Sequence, residues 1–330
     1  MTVALVFLLQ AYAAAPACRS CHPAQFAAQS ATGHARTLHR AAQHPLAAQF
    51  VTTAPLRRPP RFEFRFAGLR VEALDGESSM ELPLEWAFGS GEHGVTFVSR
   101  LPADSYLEHS FTYYSDAKAF DITPGHRGLP AGTLLQAAGQ VFGRPGITRC
   151  FQCHSTGPVE ARREIRIAEA GVRCEACHGP GRAHAASPTR GNIRNPRALM
   201  PDQVLRLCGT CHRAPSGDAE TIDWGNPWMV RHQPPYLERS KCYQLSGTLS
   251  CVTCHDPHQR LRRNDPGHYS RQCAACHSAE ALPPAAVCRA QPDPDCTACH
   301  MPAVAADPHL KFRNHWIGVY RNSATLTPSR

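Results

Sequence analysis

Seven times along its 330 residues this chain places two cysteines and a histidine in the order Cys-x-x-Cys-His. The copies are Cys18/Cys21/His22, Cys150/Cys153/His154, Cys174/Cys177/His178, Cys208/Cys211/His212, Cys251/Cys254/His255, Cys273/Cys276/His277 and Cys296/Cys299/His300. They use 14 of the 16 cysteines. In a turn of helix, positions i, i+3 and i+4 share a face, so each copy offers two thiols and an imidazole on one side. That set suits the covalent attachment of c-type haem: the thiols bond to the vinyl groups, and the histidine reaches the iron from one face. Zinc ribbons also use Cys-x-x-Cys, but they build four-ligand sites from two such pairs and need no histidine after each. Here the histidine follows every time, so haem is the reading, and zinc or a disulfide framework is the weaker one.

An iron that carries electrons in a low-spin state takes a second axial ligand, which tunes its potential. Removing seven proximal histidines from 19 leaves twelve, whereas after the initiator the methionines are only Met80, Met200, Met229 and Met301. Histidine is therefore the expected distal ligand at most sites. Six candidates stand out by context: His34, His126, His184, His258, His309 and His315. His184 and His258 follow closely on His178 and His255, which occupy one face of their own haems, so each is expected to serve a neighbouring haem. His232 is taken as the seventh, with His268 and His93 as alternatives. His39, His44 and His109 read as solvent-facing or structural residues.

The spacing of the motifs says what must position them. They begin at residues 18 and 150, and the later starts are 24, 34, 43, 22 and 23 residues apart. Such intervals hold a helix or two and a loop, so the apolar core there is expected to be largely porphyrin. Helices are predicted over Ala24–Gln43, Gly132–Gln140 and Pro201–Cys208, the last opened by a proline in its first turn. The long gap between the first two motifs differs. Arg61-Phe-Glu-Phe-Arg-Phe66 alternates aromatic and charged residues, the period of a half-buried strand. Leu69–Leu74 continues it, Asp75-Gly76 is a hairpin-type turn, and Leu82–Phe88, Gly94–Ser99 and Tyr106–Tyr114 read as further strands. The fold class is thus a mainly α and irregular multihaem array with a small β-rich insert between motifs one and two, whose expected role is to cap the first haem pair. The segments are 1–15, an export signal; 16–49, the first haem segment; 50–125, the β-rich module; 126–320, a six-haem cytochrome domain; and 321–330, a flexible tail.

The export signal is read from the apolar run after Met1 and from Ala13-x-Ala15, a small-residue cleavage pattern, although no Lys or Arg precedes the run. Localisation is therefore periplasmic or extracellular, and no later stretch is apolar for long enough to cross a bilayer. Cys242 and Cys288 lie outside the motifs and are expected either to pair or to stay as separate buried thiols. The side chains sum to +9 at neutral pH. Seven haems would add about fourteen propionates, leaving the loaded protein near −5 (9 − 14) if all ionise. A nucleic-acid partner is excluded on that ground. Arg149, Arg173, Arg182, Arg206 and Arg271, close to the motifs, are candidates to pair with propionates.

The strings Cys-His-Pro-Ala-Gln-Phe with Gly-His-Ala-Arg, Cys-Glu-Ala-Cys-His-Gly-Pro-Gly, Ser-Cys-Val-Thr-Cys-His-Asp-Pro-His and Cys-Thr-Ala-Cys-His-Met-Pro resemble secreted multihaem cytochromes c. The group is the cytochrome c-554, nitrite reductase and hydroxylamine oxidoreductase superfamily, and the likeness covers nearly all of residues 18–318. It implies a chain of haems in alternating stacked and perpendicular contacts, mostly bis-histidine, with His34, His184, His258 and His315 at positions that look like distal ligands. The chain lacks the Cys-x-x-Cys-Lys variant of a nitrite-reducing haem. The reading is electron transfer between redox partner proteins, quinol-linked or other cytochromes, without catalysis of its own. The alternative is a reductase or oxidase of nitrite, hydroxylamine or sulfur compounds at one haem with an open distal side. A third reading is a subunit of a larger conducting assembly.

Overall fold

Alternation decides the architecture of the first half of the chain. In Phe62–Ala67, Phe62, Phe64 and Phe66 are at most 2% exposed while Glu63 and Arg65 face outward, as a period-two strand requires. The computed structural model describes residues 11–161, 164–214, 222–278, 295–322 and 325–329. By its contacts the chain forms two units, Met1–Arg194 and Asn195–Arg330. Motifs one to three belong to the first and motifs four to seven to the second, so the segment expected over 126–320 is divided at this boundary.

In the first unit, Leu56–Arg58, Phe62–Ala67, Arg70–Leu74 and Ser79–Pro83 form a four-stranded antiparallel sheet. Its central turn is the expected one. Asp75 Oδ1 accepts the N–H groups of Glu77 (3.2 Å) and Ser78 (2.8 Å), and Gly76 takes a φ of 93°, which glycine adopts without steric cost. A seven-stranded sheet runs in the order Leu38–Arg40, Trp86–Phe88, Gly94–Leu101, Ser105–His109, Gly139–Phe142, with Phe111–Tyr114 pairing both Gly94–Leu101 and Ala119–Ile122. Between the sheets lies an aromatic core of Phe50, Phe62, Phe64, Phe66, Phe97, Phe111 and Phe120, with Phe66 and Phe120 stacked at 4.1 Å. Two of the seven strands, Leu38–Arg40 and Gly139–Phe142, come from outside 50–125. The chain is accordingly mixed helix and sheet rather than mainly helical.

Several predicted elements are cut shorter or split. The helix expected over Ala24–Gln43 spans only Pro23–Ser30. Thr32 ends it: its hydroxyl donates to Gln29 O (2.7 Å) and accepts Ala35 N–H (3.1 Å), a local bond that competes with helix continuation. The stretch Leu82–Phe88 is split between Ser79–Pro83 and Trp86–Phe88, and Tyr106–Tyr114 is broken at Ser110, whose N–H turns to Ala138 O. The helix near Gly132–Gln140 reduces to Leu134–Ala138, started by a capping box between Thr133 and Gln136. By contrast Pro201–His212 extends beyond its expected end and carries the fourth motif on its last turn.

The second unit holds that helix with Gln233–Glu238, Lys241–Ser246, Cys251–Cys254, Pro266–Ala274 and Cys296–His300, and a hairpin of Ala303–Asp307 with Leu310–Arg313. Its apolar cluster is Ile222, Val230, Tyr236 and Val304 with Trp224 and Trp316 against them. Among the described residues no buried apolar cluster is centred on motifs four to six. The last residues are tied back: Asn314 Nδ2–H donates to Leu326 O, and Ser329 N–H to Val319 O, both at 2.8 Å.

Candidate functional site

Local helix is what turns each motif into a three-pronged unit. His22, His255 and His277 donate their backbone N–H to the carbonyls of Cys18, Cys251 and Cys273 at 2.8, 3.1 and 2.9 Å, so each first cysteine and its histidine are one helical turn apart. Different devices start these turns. The second motif ends helix Arg144–His154, which Ile147 and Phe151 bury against Trp86, Val98 and Tyr106. The fifth is capped by Ser250. The seventh is capped by Asp295, whose Oδ1 accepts Thr297 N–H (3.0 Å) and the Thr297 hydroxyl (2.6 Å).

The imidazoles are oriented by carbonyls. His154 Nδ1 lies 3.2 Å from Thr37 O, His178 Nδ1 3.0 Å from Arg194 O, and His300 Nδ1 2.9 Å from Gly318 O. A carbonyl only accepts, so in His178 and His300 Nδ1 carries the proton and Nε2 keeps its lone pair, while His154 Nδ1 also lies 2.8 Å from the Thr37 hydroxyl, which can donate or accept. Two predicted distal candidates have the same arrangement. His184 Nδ1 faces Thr189 O at 3.0 Å and His315 Nδ1 faces Arg313 O at 2.9 Å. Thr37, Thr189, Arg194, Arg313 and Gly318 were not singled out from the sequence, because a backbone carbonyl leaves no mark of residue type.

Two pairs of rings face each other. His22 and His184 have centroids 6.5 Å apart with planes within 19°, and His255 and His315 lie 6.3 Å apart at 42°. Two imidazoles bound trans to one metal through bonds of roughly 2 Å put their ring centres about 6 Å apart. The donor set and this spacing fit haem iron. Burial pushes the His315 pKa down to about 4 and lowers those of His212 and His255, which keeps the neutral, ligating form.

The thiols meet in pairs as well. The Cys18 thiol lies near that of Cys174, Cys208 near Cys251, and Cys273 near Cys296. Each pair joins the first cysteines of two motifs: one with three, four with five, six with seven. Burial pushes the Cys18 and Cys273 thiols up to about 11. The Cys251 thiol, then burial, raises Cys208.

The fourteen motif cysteines, alike in sequence, are thus not alike in place. The second cysteine of each motif stands outside these three pairs. Cys21, Cys211, Cys276 and Cys299 are exposed, whereas Cys153, Cys177 and Cys254 are half-buried. Two of the exposed thiols lie beside the hydroxyl of the preceding residue, Cys21 beside Ser20 and Cys211 beside Thr210, each at 3.8 Å. Cys150 differs from the other first cysteines: its thiol donates within its own helix to Gly146 O at 3.7 Å. Contact between motifs therefore runs through Cys18, Cys174, Cys208, Cys251, Cys273 and Cys296, a division that the repeated spacing does not reveal.

The other candidates are placed as follows. His34 is exposed, and its carbonyl accepts Val172 N–H at 2.9 Å, two residues before Cys174. His93 is exposed beside Glu92, which pairs with Arg36 at 2.9 Å, and the adjacent Thr37 holds His154. His258 is half-buried with Nδ1 3.4 Å from Asp256. His309 is half-buried, its N–H on Asp307. His232 Nε2 is 3.4 Å from Arg231 Nε. His268 stands against Tyr269 at 5.0 Å, which also faces His255. His126 lies apart from the motif histidines. It is 2% exposed, and its Nε2 is 3.0 Å from Glu108 Oε2. His39 and His44 use Nε2 on the carbonyls of Arg36 and Gly89, and His109 uses it on the Ser99 hydroxyl, which are structural roles. Of the arginines, Arg173 faces Glu169 at 3.7 Å and Arg206 pairs with Asp202, so polypeptide carboxylates engage both. Cys242 is half-buried, and Cys288 lies outside the described residues.

Among known proteins, the family described as cytochrome c554 and c-prime matches residues 138–179, which span motifs two and three. No curated protein matches the sequence. The outer cell wall cytochrome OcwA shares the fold with a TM-score of 0.52 at 16% identity, over 93% of this chain and 79% of its own. The undecaheme cytochrome from the S-layer of Carboxydothermus ferrireducens gives a TM-score of 0.48 at 17% identity, over 83% of this chain and 44% of its own. This chain therefore spans under half the length of that protein. No helix among the described residues is long and apolar enough to cross a membrane. The chain thus has the fold of OcwA and, over motifs two and three, the sequence pattern of the cytochrome c554 and c-prime family.

Proposed function

We propose that this protein is an exported seven-haem electron carrier that passes electrons between redox partner proteins outside the cytoplasm. The observation that carries this reading is the pairing of attachment cysteines: Cys18 with Cys174, Cys208 with Cys251, and Cys273 with Cys296. Attachment cysteines this near one another would tether their cofactors side by side, and close approach is what conduction needs. When bound, haem iron supplies reversible one-electron chemistry, with its potential set by axial ligands, hydrogen bonds and burial.

The chain's own residues hold and tune those centres. Fourteen cysteines would anchor the rings and seven histidines would take one axial side. The exposed second thiols of Cys21, Cys211, Cys276 and Cys299 would leave their vinyl bonds on the solvent side of the ring. On the opposite axial side we assign His184 with His22 and His315 with His255 from the facing rings. His34 is assigned to the third motif, because its backbone is bonded beside the entry to Cys174. His93 is assigned to the second, through the Arg36–Glu92 and Thr37–His154 links. His258, His309 and His232 remain for motifs four, six and seven. We assign His126 no iron, because a carboxylate holds its Nε2. Carbonyls on Nδ1 fix the tautomer and raise ligand basicity. OcwA is named as an outer cell wall cytochrome, in line with a place beyond the cytoplasm.

Low-temperature EPR of the oxidised holoprotein tests the reading. Low-spin signals from every iron are expected. A high-spin signal from one iron, with turnover of nitrite or hydroxylamine, would instead establish the oxidoreductase alternative.

A further inference from the structure

Glu175 is the second residue of the third motif, yet its side chain is buried, with the residue only 3% exposed. Its carboxylate accepts three backbone N–H groups: Ala13 on Oε1 at 2.9 Å, Gly181 on Oε1 at 2.6 Å and Ala14 on Oε2 at 2.8 Å. Beside it, Glu169 Oε2 accepts Ala15 N–H at 3.1 Å, and Ala15 is fully buried. Two acidic side chains, 161 and 154 residues away in sequence, thus converge on the backbone nitrogens of Ala14 and Ala15. Buried carboxylates need donors, and a cationic donor satisfies them best.

The backbone is strained at the same spot. Ala14 has a φ of 64° with a ψ of 152°, a combination that an L-residue avoids. That φ exists only while Ala14 N is bonded to the Ala13 carbonyl. Hydrolysis of this one bond abolishes the strained torsion. The sequence before it, Ala11-Tyr12-Ala13, has small residues at the two positions an export cleavage site requires. The pattern Ala13-x-Ala15 reads equally well in sequence. A cut after Ala15, however, removes three of the donors just described and empties a fully buried position.

We infer that the export signal is removed at the Ala13–Ala14 bond, and that Glu175 binds the new α-ammonium group of Ala14 while Glu169 holds the next N–H, that of Ala15. Water adds across the amide: Ala13 leaves as a carboxylate, Ala14 N gains the protons of an ammonium, and nothing is oxidised or reduced. The ammonium keeps the bond to Glu175 Oε2, and its extra protons replace the donor lost with Ala13. Cleavage occurs on the unfolded chain during export, so burial of the site in the fold does not hinder it. Glu175 then acts as a positioning residue that ties the processed terminus to the third motif.

The inference rests on export but not on haem number or ligation. N-terminal sequencing of the exported, haem-loaded protein is expected to begin at Ala14. A first residue of Pro16, or a chain that retains Tyr12, overturns it. The intact mass counts haems separately, so a seven-haem protein beginning at Pro16 would sink this inference and leave the electron-carrier reading standing. The α-amine of Ala14 is expected to react with an amine-labelling reagent about tenfold more slowly in the native protein than after unfolding. Glu175→Gln is expected to remove most of that protection while processing stays at the same bond. Equal labelling rates in native and unfolded wild type would overturn the docking role, whether or not the variant accumulates.

Discussion

At the scale of single residues, the distal ligands decide potentials. Replacing His315 by Met exchanges an imidazole for a thioether opposite His255, which raises the potential of that centre. A redox titration of His315→Met is expected to move one centre upward and leave the other six in place. His126→Gln is expected to leave the low-spin EPR intensity unchanged, since Nε2 is already held by Glu108. A different histidine governs acid stability. Burial pushes the His109 pKa down to about 3, from an ordinary value of 6.5. Between those values the unfolded chain binds a proton that the folded one refuses. Stability is therefore full above 6.5 and falls as pH drops toward 3; thermal unfolding at a series of pH values should show a shallower acid limb in His109→Gln. The candidate proximal histidines stand out in sequence because their spacing from two cysteines is fixed. The candidate distal ones carry less local signal: His184 stands in the short helix Arg182–Ala186 and His34 in a turn, and neither context says which ring it would face.

Among the elements, the strands were easiest to read, because Phe62, Phe64 and Phe66 alternate with charges and Asp75-Gly76 marks its own turn. Phe64 is 1% exposed in the aromatic core, so Phe64→Ala is expected to cost about 3–5 kcal/mol, read as a shifted denaturation midpoint for the first unit. Thr133→Ala removes a capping box at the start of Leu134–Ala138 and is expected to cost about 1 kcal/mol. The helix over Ala24–Gln43 was over-extended, since alanine-rich composition hides the competing Thr32 hydroxyl. The hairpins Ser155–Ala161 with Ile165–Ala170, and Ala303–Asp307 with Leu310–Arg313, went unpredicted. They are short strands beside the motifs whose pairing is set by tertiary contacts, and propensity carries little of that information.

Over the whole molecule, the division at Arg194 and Asn195 separates three attachment motifs from four. Limited proteolysis near that boundary is expected to release a three-haem and a four-haem fragment, read by mass. The neighbouring thiols impose a requirement earlier in the protein's life. Before any cofactor arrives, Cys18 and Cys174, Cys208 and Cys251, and Cys273 and Cys296 are partners for a mistaken crosslink, and an oxidising compartment promotes it. Such a bond would block two attachment sites at once. Maturation of this polypeptide therefore depends on a reductant that keeps those six sulfurs apart until ligation is complete, and a cell deprived of it should accumulate colourless, crosslinked chains.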